Sequence, residues 1–196
     1  HGALFIVDDI QAGAGRTGTF FSFEPSGVQP DIVTMAKSVS GYGLPMAMVL
    51  IDRQFDQWLP GEHNGTFRGN CHAFVTARAT LEHFWRDRSF EASVFDKSEL
   101  LARRLNEIAR QARPHRLTVK GRGMMRGLEM PSGEIAADVV KAAFERGLVI
   151  ETSGPNDEVV KCLAALTIEN HELEKGLSIL SEAVRAVLEK TARAAA

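Results

Sequence analysis

Cysteine is scarce in this chain of 196 residues. There are two, Cys71 and Cys162, far apart and in no metal-like spacing. That excludes a cysteine-built metal site and leaves them as free thiols of a cytoplasmic protein. Net charge is nearly absent: 23 basic residues meet 25 acidic ones, for a formal charge of −2. Without an excess of positive charge, nothing argues for nucleic acid or an anionic membrane surface as a partner. No apolar run approaches the length of a membrane span. The six histidines have no ligand spacing. Repeats are missing, as is any low-complexity segment beyond a short alanine tail. The chain also lacks an initiator Met, a basic n-region and a signal peptide. His1 and Gly2 lead straight into an apolar run, so the chain is expected to be part of a longer one.

What is present is ordinary for a globular protein: 44% apolar and 24% charged residues. The length suits one large domain or two small ones. Residues 3–7, Ala-Leu-Phe-Ile-Val, read as a buried strand that ends at Asp8-Asp9. A loop rich in Gly and Pro runs to Asp31. Residues 32–36 and 46–51 read as two further strands, with a glycine-rich turn between them. A helical pattern starts at His72 and runs to Arg88. In the second half Leu101, Leu105, Ile108 and Ala112 recur at helical spacing, stopped by Pro114. Strands are expected at 117–120 and 124–130, then a helix ended by Gly147. Strands at 148–152 and 159–168 follow. Asn170 suits an N-cap for a last helix whose core face is Leu173, Leu177, Leu180, Val184 and Val187. The domain change falls near residues 86–98.

The stretch "AGAGRTG", residues 12–18, has the G-x-G-x-x-G spacing of a dinucleotide-binding turn. Such a turn needs its first Gly right after the strand and its third at the start of a helix. Here Gly13 comes late, and Pro25, Gly27 and Pro30 forbid a long helix after Gly18. These are turn glycines in a long loop. Attention moves to the two strand ends beside them. Asp8 closes one strand and Lys37 follows the next. Ligands bind at strand C-termini in parallel α/β sheets. Taken alone, Asp8 caps a turn and Lys37 is a solvated lysine. Together, a carboxylate and an amine suit pyridoxal 5′-phosphate, whose aldehyde takes a lysine as a Schiff base and whose ring nitrogen takes an Asp.

The run from Leu4 to Leu50 resembles the class III (omega) aminotransferases. Their pattern is Asp-Glu-Val/Ile-Gln, then Gly-x-Gly-Arg-Thr-Gly, Pro-Asp, and Ala-Lys before a glycine-rich turn. "GTFRGN" (65–70), "VKGRGMMRGLEM" (119–130) and "VVKCLAALTI" (159–168) resemble later blocks of the family. The resemblance covers essentially the whole chain. It implies an α/β protein of the pyridoxal-phosphate fold-type I class. Residues 1–88 would be the C-terminal part of the cofactor-binding large domain. Residues 89–196 would be a small C-terminal α/β domain. It also implies roles. Asp8 would hold the pyridinium nitrogen, Gln11 would lie against the ring hydroxyl, and Lys37 would be the catalytic, Schiff-base lysine. Thr66 would bind the cofactor phosphate and reach into the partner subunit's site, which implies a homodimer or higher homo-oligomer. Asp9 stands where the family usually has Glu.

Lys161 stands where many relatives have an arginine that grips a substrate carboxylate. Two readings stay open for it, a substrate contact and a plain strand lysine. Arg68 and Arg126 read as solvated and structural arginines. Trp58 and Trp85 read as packing residues. "DDIQAG", "SGYGLPMA" and "VVKCL" resemble one branch of the family. That branch moves an amino group from glutamate to L-aspartate 4-semialdehyde, giving L-2,4-diaminobutyrate and 2-oxoglutarate for ectoine synthesis. The implied substrates are amino acids and 2-oxo acids. The alternatives are another class III enzyme, of ornithine, acetylornithine or GABA type, a related aminomutase, or a non-catalytic remnant. The family's phosphate-cradling turn and its ring-stacking aromatic lie upstream of His1, so the chain alone is expected to have little activity.

Overall fold

The computed structural model describes residues 1–65 and 68–194. The chain forms two compact units, His1–Ser93 and Val94–Ala196. The division falls inside a helix, α2, that spans Ser89–Gln111.

The first unit is built on three short strands in the order β1-β2-β3: Ile6–Asp8, Ile32–Ala36 and Ala47–Ile51. β1 and β2 are parallel, with Asp8 opposite Thr34. β2 and β3 are antiparallel, with Ala36 opposite Ala47. The Pro-Asp pair before β2 sets this alignment. Phe5 N donates to the Asp31 carboxylate at 2.7 Å, and Asp31 N donates back to Phe5 O at 2.9 Å. The core is Val33, Met35 and Val39, with Phe20, Phe21, Phe23, Met46 and Met48 packed against it. The long loop after β1 is therefore anchored by its own aromatics. Phe20 meets Phe21 and Trp85 edge-on, with ring centroids 4.9 and 5.0 Å apart. No helix follows Gly18; a single 3-10 turn at Glu24–Ser26 carries Pro25 in its first turn. Helix α1 spans Cys71–Phe84, and Asn70 caps it by accepting from Ala73 N at 3.3 Å.

One expectation for this unit is corrected. The apolar run at 3–7 is not buried: Leu4, Phe5 and Ile6 are 45–55% exposed. Among the described residues of this chain β1 pairs with β2 alone. Trp58 is also exposed, beside His63, whereas Trp85 packs as expected between Phe20 and Phe90.

The second unit is an antiparallel sheet in the order β4-β5-β7-β6 with helices α2, α3 and α4. Its strands are Thr118–Arg122, Met125–Glu129, Glu151–Ser153 (β6) and Val159–Cys162 (β7). Helix α3 spans Gly133–Phe144 and α4 spans Asn170–Ala194. Leu128 and Val160, opposite each other across β5 and β7, are fully buried. Also buried in this unit are Leu101 and Leu105 of α2, Val139 of α3, and Leu173, Leu177, Leu180 and Val184 of α4, with α3 in contact with α4, β6 and β7. The spacing of these residues is the helical period the sequence displayed.

Here two strands are shorter than expected. β6 starts at Glu151, because Gly147 turns left-handed (φ +87°) and Leu148 N closes the end of α3 on Ala143 O. β7 ends at Cys162. Beyond it Ile168 N turns back to Ala165 O, and the buried Lys97 donates to Leu166 O at 3.0 Å. Asn170 is itself the first helical residue of α4. Among the described residues, no helix is long and apolar enough to cross a membrane.

Candidate active site

Lys37 is the first residue after β2. Its backbone is left-handed, with φ +52°. A lysine with positive φ is uncommon and costs about 1–2 kcal/mol. The surroundings hold it there. Met35, Val39 and Ser40 on either side are buried. Ser40 Oγ donates to Lys37 O at 3.3 Å and accepts from Gly43 N at 3.1 Å. Gly41 (φ +74°) closes the turn by donating to Ser38 O at 2.9 Å. The Lys37 side chain is exposed and has no hydrogen-bond or ionic partner among the described residues.

Asp8 is the last residue of the parallel neighbour β1, and it too is exposed. Its Oδ1 accepts from Ile10 N at 3.0 Å, which orients the carboxylate at the strand end. The sheet therefore brings Asp8 and Lys37 to the C-terminal ends of adjacent parallel strands. Gln11 is half-buried on the turn that follows. Thr66 lies outside the described residues.

Asp9 is the residue that sequence reasoning undervalued. It is 2% exposed. Its N donates to Thr34 O at 2.9 Å, its carbonyl accepts from Gly13 N at 3.1 Å, and its Oδ2 accepts from Ser22 N at 3.0 Å. One residue thus ties β1, the glycine loop and the aromatic segment together. The Asp8-Asp9 alternation was the available signal: in a strand, neighbours face opposite ways. Gly13 is glycine because of Asp9. A Cβ on Gly13 would sit 2.8 Å from Asp9 Oδ2 and 2.9 Å from Asp9 O. The loop then folds back on itself, with Ala14 N donating to Phe20 O at 2.7 Å and Thr17 Oγ1 to Ala12 O at 2.9 Å. Arg16 of this loop is partly buried, and burial pulls its guanidinium below the ordinary value.

The other candidates are placed as follows. Lys161 on β7 pairs with Glu151 of β6, with Nζ 2.9 Å from Oε1. Arg68 donates to His63 O. Arg126 is structural: Nε donates to Gly123 O at 3.2 Å and Nη1 to Gly121 O at 3.4 Å, closing the β4-β5 turn. Among the described residues, no cluster of His, Cys, Asp or Glu could hold a metal ion.

Residues 1–184 match the family described as aminotransferase class-III. The chain belongs to that family. Its architecture is that of the fold-type I enzymes, in which class III members use pyridoxal 5′-phosphate. A diaminobutyrate–2-oxoglutarate transaminase of Vibrio parahaemolyticus is 54% identical over 95% of this chain. One from Virgibacillus pantothenticus is 50% identical over 95%. The chain covers 44% and 45% of these two proteins, so it spans less than half their length. Among solved structures, an N-acetylornithine aminotransferase from Stenotrophomonas maltophilia superposes with a TM-score of 0.80 at 30% identity. It is matched over 96% of this chain and 48% of its own.

Proposed function

We propose that this chain is the lysine-bearing portion of a pyridoxal-phosphate-dependent diaminobutyrate–2-oxoglutarate transaminase. The reaction is the transfer of an amino group from glutamate to L-aspartate 4-semialdehyde. It yields L-2,4-diaminobutyrate and 2-oxoglutarate and serves ectoine synthesis in the cytoplasm. The observation that carries the reading is the pairing of Asp8 and Lys37 at adjacent parallel strand ends. The choice of substrate is supported by relatives of that name at 50–54% identity.

The residues present fit the cofactor. An exposed carboxylate and an exposed amine without a partner among the described residues are the two groups it requires of the protein, and the fold brings both to the C-terminal ends of adjacent parallel strands. When bound, the cofactor supplies an electron sink for the charge that develops at the substrate carbon. Asp8 would hold the protonated ring nitrogen with an ionic hydrogen bond. Gln11 would lie against the ring hydroxyl, and Thr66 would bind the phosphate across a homodimer interface. Lys37 Nζ takes the proton from the substrate carbon and delivers it onward, a transfer that requires the uncharged amine. The left-handed backbone at Lys37 would aim that amine, with the buried Val39-Ser40 step bracing the turn. Lys161 would contact a substrate carboxylate. On its own the 196-residue chain would be nearly inactive.

The test uses the full-length protein. Lys37→Ala should abolish transamination, and the unmodified enzyme should aminate 2-oxoglutarate from L-2,4-diaminobutyrate in preference to ornithine or N-acetylornithine. Wild-type turnover by the variant would rule out the lysine. A preference for N-acetylornithine would point instead to the activity named for the Stenotrophomonas structure.

A further inference from the structure

Helix α2 ends at Gln111, and a short connection leads from it into β4 at Thr118. The connection is tightly turned. Ala112 N donates to Ile108 O at 3.1 Å, and His115 N donates to Ala112 O at 3.0 Å. Pro114 restricts the backbone further. Arg110, Arg113, His115 and Arg116 all line one cavity of about 490 Å³ at this connection, within the second unit. No acidic residue lines it. That stands out in a chain whose acidic residues outnumber its basic ones.

Arg110, Arg113 and Arg116 are exposed, and none has an ion pair or side-chain hydrogen bond among the described residues. Arg104, earlier on α2, shows the ordinary arrangement and pairs with Glu107 at 3.0 Å. A cation beside a helix C-terminus is favourable in its own right, because it faces the negative end of the helix dipole. That accounts for Arg110, in the last turn of α2. The effect fades within a turn. It does not account for Arg116, well past the helix end, or for a cavity wall without a carboxylate.

Like charges gathered without a counter-charge repel one another, and an anion seated between them relieves the repulsion. A guanidinium presents a planar fork that holds two oxygens of a phosphate. A single carboxylate fills one such fork. Two joined phosphates present oxygens on every side and fill several. The volume also suits a small molecule, whose sites occupy about 300–1,000 Å³. We propose that the cavity at the α2–β4 connection binds a diphosphate group, with Arg110, Arg113 and Arg116 as its cationic ligands and His115 as a further N–H donor. The site involves neither Lys37 nor the amino-group transfer, so it stands or falls separately from the reaction proposed above.

The experiment is calorimetric titration of the full-length protein with inorganic pyrophosphate, at about 0.15 M salt to screen diffuse attraction. The pyridoxal cofactor is retained, so that its own phosphate site is filled. Pyrophosphate should bind at one site per chain. Arg113→Gln should weaken binding about tenfold, and Arg113→Gln with Arg116→Gln about a hundredfold, as expected for the loss of one and two charged contacts. Arg103→Gln, exposed on α2 but outside the cavity, should change the affinity by less than about twofold. ADP carries the same diphosphate and separates the sources. Equal affinity marks the diphosphate group alone as the ligand, and tighter binding of ADP marks a nucleotide; both support the site. Failure of both to bind, or binding that ignores the double variant, overturns the proposal. A measurement on the unmodified protein guards against a variant that fails to fold. Phenylglyoxal modifies accessible guanidinium groups, and the modified positions are read by peptide mass mapping. Pyrophosphate should protect Arg113 and Arg116 and leave Arg103 unprotected. Protection of all three alike, or of none, overturns the proposal.

Discussion

Gly41→Ala tests how the turn that carries Lys37 is held. The residue closes the 3-10 turn Lys37–Ser40 in a left-handed conformation, φ +74° and ψ −26°. An alanine there costs about 1–2 kcal/mol in backbone strain. Its Cβ would also stand 1.7 Å from Thr80 Oγ1, 2.6 Å from Thr80 Cβ and 3.0 Å from Thr80 Cγ2. Thr80 is on α1, so the overlap is with a packed helix and not a free side-chain end. Relieving it requires the turn or the helix to shift, at about 1–3 kcal/mol for overpacking. The sum is a loss of about 2–5 kcal/mol. The shift also moves Lys37, and a misplacement near 1 Å costs on the order of a hundredfold in rate. The assay is urea unfolding of the full-length protein, read by tryptophan fluorescence, together with kcat/KM. Thr80→Ala removes Oγ1 and Cγ2 but not Cβ. Combined with Gly41→Ala, it should return about 1 kcal/mol or more and part of the activity. A Gly41→Ala variant as stable and active as wild type would refute the reasoning. So would strict additivity with Thr80→Ala, because the clash would then not be the cause.

Two adjacent aspartates should separate cleanly. Asp9→Ala removes the buried carboxylate that accepts from Ser22 N and should destabilise by about 1–3 kcal/mol in denaturant unfolding. Asp8→Asn should leave stability within about 0.5 kcal/mol, as an exposed substitution does, while lowering transaminase activity and cofactor affinity. The reverse pattern would exchange their roles. Cys162 carries a pH prediction. Burial pushes its thiol from the ordinary 9.0 up to about 12. Between those values the folded state keeps a proton that the unfolded state has lost. The contribution is therefore whole below about pH 9 and is lost as pH rises toward about 12. The slope is at most about 1.4 kcal/mol per pH unit. Cys162→Val should flatten the stability curve over that window relative to wild type, and parallel curves would refute the assignment.

Much of the fold was legible because hydrophobic period and punctuation agree in this chain. Residues 32–36 form a strand between a Pro-Asp entry and a lysine-glycine exit, and the helical faces of α2, α3 and α4 repeat at the right spacing. What was not legible follows from one limit. Apolar content reports what leaves water, not which backbone joins a ladder. Leu148–Ile150 and Leu163–Ala164 are apolar like the strands beside them, yet they line a cavity. Leu4–Ile6 are apolar yet exposed in this chain, because a five-residue run does not say what else is present to cover it. The site shows the same limit from the polar side. Asp8 and Asp9 are identical side chains, one residue apart, on a strand end. Composition cannot rank them; only the pleat can, by turning one toward solvent and the other into the loop it holds. That is why the glycine at position 13 matters. It is small because Asp9 stands behind it, so its spacing from Gly15 and Gly18 reflects a buried carboxylate and not a bound phosphate.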